Sequence, residues 1–296
     1  MEKKNFQDIP ISTRTIIVAT NTLINIENLY TNLPITEYTV IRKKRGRKKK
    51  DMIENINNTV PNGSIVSIKY QDKIRGVELK VKKKETKFFR NAVTIIMSID
   101  NKFINLKVST NGKFQVTGCK HFDHCKKAII NIFNIIMDNI DVYLREYEDE
   151  IRVLFNNVMT NKDFSMGFQV NREVLDNILN SETSYNSLLE TSFGYTGINL
   201  KMLLENDIDR SFKCLKINIK TKVVEEYILS YQEYISKLTD KEKIKENKKR
   251  HITFLIFQSG NVIMSGINEI LMEKYYNEFY KIIEKNYDKI KERLTV

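Results

Sequence analysis

Apolar and polar residues alternate with period two over several short stretches of this chain, and with a helical period over a few longer ones. Val93, Ile95, Met97 and Ile99 alternate with Ala92, Thr94, Ile96 and Ser98; Ile104, Leu106 and Val108 alternate with Asn105, Lys107 and Ser109; Phe114 and Val116 alternate with Lys113, Gln115 and Thr117. One apolar face per stretch marks a half-buried sheet, so the pattern predicts strands at 92–99, 103–109 and 113–117. The second half predicts strands at 212–219, 253–257 and 262–265, with core sets Leu215, Ile217 and Ile219, Phe254 and Ile256, and Val262 and Met264. Stretches 11–24 and 150–168 read as longer strands. A spacing of three and four sets Ala128, Ile129, Ile132, Phe133, Ile135 and Ile136 on one face of a helix over 120–138. The same spacing predicts a helix over 172–180 and a closing amphipathic helix over 269–294, and a short helix over 24–33 is stopped by Pro34.

Two of these stretches are versions of one another. Asn111-Gly-Lys-Phe-Gln-Val-Thr-Gly118 and Ser259-Gly-Asn-Val-Ile-Met-Ser-Gly266 each follow an alternating run and lead into an apolar helix, half a chain apart. A second echo sets Gly76-Val-Glu-Leu-Lys80 against Gly197-Ile-Asn-Leu-Lys201. The order strand, helix, three strands, helix, twice over, predicts an α+β fold of two pseudo-symmetric repeats, 1–140 and 141–296. Its antiparallel sheet carries the helices on one face and leaves the other open. Two insertions interrupt the repeats, a basic one near 42–85 and a charged one of helical pattern near 222–249. The first contains Arg42-Lys-Lys-Arg-Gly-Arg-Lys-Lys-Lys50, which suits either a solvated surface loop or an arm that contacts phosphates or directs nuclear import.

Because the core face must be apolar, strand parity also names the open face. In the first half it holds Thr94 and Ile96, Asn105, Lys107 and Ser109, and Lys113, Gln115 and Thr117. In the second it holds Phe212, Cys214 and Lys216, Thr253, Leu255 and Phe257, and Ile263 and Ser265. Small hydroxyl and amide groups mixed with a few large apolar side chains suit the DNA minor groove. There the base edges offer sparse acceptors, and an apolar wedge can unstack a base step.

Charge supports a polyanionic partner: 49 Lys and Arg against 37 Asp and Glu leave +12. No run of 18 apolar residues suggests a membrane span, and the N-terminus lacks the apolar core of a signal peptide, which implies an intracellular protein. Three cysteines without a C-x-x-C pair argue against a disulfide framework. Cys119-Lys-His-Phe-Asp-His-Cys125 invites a zinc reading, but His251 is the only other histidine, and Asp123 reads as an N-cap where a strand hands over to a helix. With no Gly-rich phosphate loop and no framed acidic pair, the sequence carries no catalytic constellation and implies no cofactor or metal.

The residues around the second turn resemble the TATA-box-binding proteins. Phe254-Leu-Ile-Phe-Gln-Ser-Gly-Asn-Val-Ile-Met-Ser-Gly-Ile267, with the helix containing Tyr276-Asn-Glu-Phe-Tyr-Lys-Ile-Ile283, is similar to that family's second-repeat hairpin and helix. Lys113-Phe-Gln-Val-Thr-Gly-Cys-Lys120 is similar to the first-repeat counterpart. The chain resembles most the divergent members carried by large DNA viruses. The resemblance is specific over 92–140 and 250–290, weaker over 150–180 and 210–220, and absent from the insertions. It implies a saddle whose concave sheet lies in the minor groove of double-stranded DNA and bends it. Its convex helices would meet general transcription factors, such as a transcription factor IIB-like protein, and the RNA polymerase machinery. The host nucleus or a cytoplasmic viral factory would be its place of work.

The resemblance also assigns residues. Phe257 takes one intercalating position with Leu255 beside it, and Phe212 takes the second. Thr117 and Ser265 take the paired hydroxyls that reach base edges, and Asn157 and Met159 take the asparagine and valine of the second repeat's first strand. In the first repeat, either Thr13 and Thr15 or Ile16 and Val18 face the groove. The kinking position there holds Ser109, with Lys107 in place of a leucine, and Val108 serves only if the turn is one residue longer; the other wedge position falls on Ala92, with Phe88 or Phe89, which lie outside the residues described below, as its alternatives. An asymmetric kink, strong at the second repeat, is therefore expected. Two other classes remain open: an interaction platform that kept the fold and lost sequence-specific DNA binding, and an enzyme built on a similar saddle, for which the insertions are too short and too basic.

Overall fold

A computed structural model describes residues 3–39, 60–79, 90–139, 142–144, 149–190, 197–204 and 210–292. The basic run 42–50 lies outside them. A 3-10 turn, Phe6–Asp8, precedes β1 (Ile11–Thr20), β2 (Leu23–Ile24) and helix α1 (Ile26–Asn32). Hairpin β3 (Ile65–Tyr70) and β4 (Lys73–Gly76) is followed by β5 (Ala92–Ile99), β6 (Lys102–Ser109), β7 (Lys113–Cys119) and α2 (Phe122–Ile136). Next come β8 (Tyr143–Leu144), β9 (Glu150–Ser165), α3 (Arg172–Glu182), β10 (Asn186–Glu190) and β11 (Gly197–Leu203). The chain continues through β12 (Ser211–Asn218), β13 (Val224–Ser230), α4 (Tyr231–Ser236) and α5 (Asp240–Glu246). It ends with β14 (His251–Phe257), β15 (Asn261–Gly266), α6 (Glu269–Lys285) and α7 (Tyr287–Ile290).

These elements form two compact units, each with one long helix. The α2 unit comprises Ile16–Asn156 with Lys213–Tyr227, and the α6 unit comprises Met1–Thr15, Asn157–Phe212 and Ile228–Val296. Strands β1, β9, β12 and β13 give residues to both, so packing partitions the chain differently from the repeat halves 1–140 and 141–296.

In the α2 unit the strand order is β1-β7-β6-β5-β3-β4, and the opening half of β9 pairs antiparallel with β12. Helix α2 lays Ala128, Ile129, Ile132, Phe133 and Ile136 on the sheet, where they meet Val93, Ile95, Leu106 and Phe114 in one buried cluster. Ile135, expected on that face, is exposed. The N-cap of α2 is His121, and Asp123 sits inside its first turn rather than capping it.

In the α6 unit the order is β10-β11-β14-β15-β9, all antiparallel. Helix α6 buries Met272, Tyr275, Tyr276, Phe279, Tyr280 and Ile283, and the Phe279 ring stacks on Phe254 of β14 at 4.5 Å. Asn268 caps α6 by accepting from the Ile270 N–H, and Asn171 caps α3 by accepting from Val174. The closing helix is shorter than its 269–294 pattern, because Asn286 ends α6 and opens the separate turn of α7.

Four expectations are corrected by the pairing. Part of the supposed insertion 42–85 is sheet: β3 pairs with β5 and buries Ile65, Val66 and Ile68. The supposed helical insertion 222–249 opens with β13, which pairs with β12, and only then turns helical. The echo of Gly76 and Gly197 is not structural, since Gly76 closes β4 while Gly197 opens β11, and Lys80 lies outside the described residues. By pairing, β11 on β14 is the counterpart of β5 on β6, which removes 212–219 from that role.

The two turn glycines do the same work in their own units. Gly112 and Gly260 both have positive φ, at 68° and 78°, and each donates its N–H back across the turn, to the Ser109 and Phe257 carbonyls. A Cβ on Gly112 would collide with the Thr22 carbonyl oxygen, and one on Gly260 with that of Phe168. Left-handed backbone costs an ordinary residue about 1–2 kcal/mol before any collision. Gly260→Ala should therefore lower stability by at least about 1 kcal/mol, read as a lower midpoint of thermal unfolding.

Candidate nucleic-acid interface

In the α6 unit, the sheet face turned away from α6 is set by register. Gly197 pairs with Phe257, Asn199 with Leu255 and Lys201 with Thr253. Across the next strands, Leu255 pairs with Ile263 and Thr253 with Ser265, and these meet Asp163 and Asn161 of β9. Two rows result: Asn199, Leu255, Ile263 and Asp163 in one, and Lys201, Thr253, Ser265 and Asn161 in the other. The intervening residues Ile198, Leu200, Phe254, Ile256, Val262 and Met264 are all buried. Leu255, Phe257, Ile263 and Ser265 are half-buried. Leu188 of β10 extends the first row beside Asn199 and is 61% exposed.

The α2 unit presents the matching face with different chemistry. Lys69, Thr94, Lys107 and Gln115 form one row, and Ser67, Ile96, Asn105 and Thr117 the other. At the end of this face Ala92 pairs with Ser109, the register step that Gly197 and Phe257 occupy in the α6 unit. A cavity of about 510 Å³ opens there, lined in part by Arg90, Lys107 and Gln115. Ile16 and Val18 are in the core of the α2 unit, while in the α6 unit's part of β1 Thr13 is half-buried and Thr15 is buried.

Strand β9 changes parity along its length. Ile151, Val153 and Phe155 are buried in the α2 unit, whereas Thr160, Lys162 and Phe164 are buried in the α6 unit. Met159 thereby shares the face of Asn161 and Asp163. The Asn157 amide instead donates to Thr160 Oγ1 and to the Ile267 carbonyl, each at 2.9 Å, so its N–H groups are engaged within the protein.

Phe212 departs from the expected open surface. It is 3% exposed, with the Tyr234 ring at 4.3 Å, Tyr231 at 6.5 Å and the Arg210 guanidinium at 5.2 Å. Helices α4 and α5 hold this cover in place, as Glu246 of α5 pairs with both Arg210 and Arg250. The physical reason is local: an aromatic side chain on an exposed strand buries apolar area against the nearest amphipathic segment, here the tyrosines that follow β13. The periodicity of β12 gave Phe212 the right face but could not reveal what covers it.

Around the zinc-like spacing, Cys119 and Cys125 are buried free thiols, and burial, reinforced by the Cys119 thiol, pushes the Cys125 thiol well up. No group of three potential metal ligands occurs among the described residues. Burial holds the His124 imidazole below its ordinary value, against a smaller opposing pull from Asp100. The unfolded chain thus takes up this proton first, so stability is full above about pH 6.5 and falls as pH drops below it. Thermal melts between pH 7.5 and 5.5 should show that fall, and His124→Gln should flatten it.

No family model matches the chain. A protein of Acanthamoeba polyphaga mimivirus described as TATA-box-binding protein-like is 24% identical over 302 aligned residues, covering 97% of this chain and 68% of that protein. An uncharacterized protein, 335L, of Invertebrate iridescent virus 6 is 26% identical over 208 residues, covering 68% of this chain; the chain spans 62% of that relative. Among solved structures, the Methanococcus jannaschii TBP superposes with a TM-score of 0.43 at 13% identity, covering 94% of this chain and 98% of the other. The resemblance to TATA-box-binding proteins, and to those of viruses in particular, is borne out by the mimivirus relative. No helix among the described residues is long and apolar enough to cross a membrane.

Proposed function

We propose that this chain is a TATA-box-binding-protein-like transcription factor that binds and bends double-stranded DNA through the minor groove, and that it is not an enzyme. In this reading 1–140 and 141–296 are two copies of one repeat. The open sheet faces are the DNA-binding surface, with Leu255, Phe257, Ile263, Ser265 and Met159 in the second copy and Thr94, Lys107, Gln115 and Thr117 in the first. The observation that supports it best is the α6-unit face, where Phe257 ends a row-by-row array of Leu255, Ile263, Thr253 and Ser265. Apolar wedges beside small hydroxyls match a groove whose edges are sparse in acceptors and whose steps can be unstacked. The net charge of +12 supplies the sequence-independent part of the affinity.

The kink is asymmetric, since Ala92 and Ser109 offer no wedge at the corresponding step of the α2 unit. General transcription factors, a transcription factor IIB-like protein among them, and the polymerase machinery are the partners. The host nucleus or a cytoplasmic viral factory is the compartment. A second reading, a transcription-complex platform without sequence-specific DNA binding, draws on the absence of that wedge and on the covered Phe212. Gel shifts with TATA and scrambled duplexes over a salt series, together with fluorescence transfer across the bound duplex, separate the two. TATA preference with a bend smaller than a symmetric double kink is expected. Sequence-blind binding without a bend would favour the platform.

A further inference from the structure

In the minor groove an A·T pair shows acceptors only, adenine N3 and thymine O2, so reading it takes a hydrogen-bond donor. Asn157, which the resemblance sets to that task, has its donors committed: its amide Nδ2 donates to Thr160 Oγ1 and to the Ile267 carbonyl, each at 2.9 Å. Further along β9, Asn161 carries the same carboxamide. Its neighbours Thr160 and Lys162 are buried, and Lys162 reaches toward Glu269 of α6, so by alternation Asn161 stands on the open face. Register sets it opposite Ser265, at the end of the row Lys201, Thr253 and Ser265.

The Ser12 hydroxyl donates to the Asn161 carbonyl oxygen at 3.2 Å and steadies the backbone there. The side chain is not tied in the same way. Among the described residues its Oδ1 is buried without a partner, and its N–H groups meet no acceptor. A carboxamide left unpaired costs stability in the free protein, a defect that a bound ligand repairs. The Asn157 Oδ1 is unpaired as well, but a lone acceptor gains nothing from a groove edge made of acceptors.

We propose that Asn161, in place of Asn157, supplies the base-reading carboxamide of the second copy, donating to an adenine N3 or thymine O2 beside the edge that Ser265 reaches. The proposal rests on the DNA-binding reading above and deepens it. Asn157 becomes a brace, whose two hydrogen bonds hold β9 to its own next residues and to the carbonyl that follows β15.

The wild-type protein is first titrated against TATA and scrambled duplexes, with the bend followed by fluorescence transfer. Each adenine of the TATA duplex is then replaced in turn by 3-deazaadenine and each thymine by 2-thiothymine, which remove or weaken the groove acceptor. Asn161→Ala should bind the unmodified duplex about five- to tenfold more weakly, the loss of one neutral hydrogen bond. Its melting temperature should be unchanged or slightly higher. At one or two positions the modified base should weaken the wild-type protein and leave Asn161→Ala indifferent. Asn157→Ala should instead melt earlier and stay sensitive at those positions. Should Asn161→Ala fail to fold, Asn161→Leu keeps most of the side-chain volume and carries the same expectation. Indifference in Asn157→Ala rather than in the Asn161 variant overturns the proposal, as does an Asn161 variant that keeps every wild-type sensitivity. In both cases TATA preference and bending by the wild type leave groove binding intact. A wild-type protein that neither prefers nor bends the TATA duplex overturns the groove reading, and the proposal with it.

Discussion

Phe257→Ala is expected to reduce affinity for a TATA duplex by about 1–3 kcal/mol, roughly 5- to 150-fold, and to remove most of the measured bend. The argument is one of position. Phe257 is the last residue of β14 and lies on the parity opposite to Phe254 and Ile256, which are buried under α6. Its ring is half-buried, opposite Gly197 in the strand pair and next to the Leu255 side chain that packs over that glycine. Removing it therefore takes little from the core, and the melting temperature should stay close to that of the wild type. What is lost is the apolar surface that would offset the cost of unstacking a base step, a few kcal/mol. Equilibrium titration with a dye-labelled duplex gives affinity and bend together. Unchanged values of both in a folded variant would remove Phe257 from the interface and, with it, the main support for groove binding.

How much of this was legible in the sequence depends on whether a residue's neighbours are local. The core faces of β5, β6, β7, β14 and β15 were all readable, because alternation reports burial directly and every residue placed inside by parity is buried. The twin turns at Gly112 and Gly260 were readable for the same reason, since a left-handed turn leaves a local signature. Strands β3, β10 and β11 escaped notice. Ile65-Val-Ser-Ile is buried at four successive positions across a bulge, which hides the period of two. Pairing partners far apart in sequence were also out of reach. The segment 204–250 separates β11 from β14, so the alternating stretch nearest to 253–257 in sequence is 212–219, which fills the place of a third strand in the second repeat. Its alternation, with the resemblance, puts Phe212 on the open side, while the cover from Tyr231 and Tyr234 comes from residues with no local signature in the sequence of β12. The parity change within β9 bears on Asn157 as well, whose amide N–H groups donate to Thr160 and Ile267 in a way that strand spacing alone does not anticipate.

Phe212→Ala should behave in the opposite manner to Phe257→Ala: a loss of stability of about 3 kcal/mol with DNA affinity preserved. The side chain is nearly fully buried, and it holds three groups at once, the rings of Tyr231 and Tyr234 and the Arg210 guanidinium. Truncation leaves a cavity between β12 and α4 that the backbone can close only by shifting α4, and α4 leads into the segment anchored through Glu246 to Arg210 and Arg250. The effect should therefore spread along 231–246, as faster amide exchange there than in α6, and lower the melting temperature by roughly 5–10 °C. Were Phe212 an intercalating residue, the variant would instead lose affinity and bend while keeping its melting temperature. Melting and titration of both alanine variants side by side thus separate a ring that packs the protein from a ring that meets DNA. If Phe212→Ala loses affinity as well as stability, Phe212→Leu decides between them: it restores much of the buried volume, and a persisting affinity loss in that variant would return Phe212 to the interface.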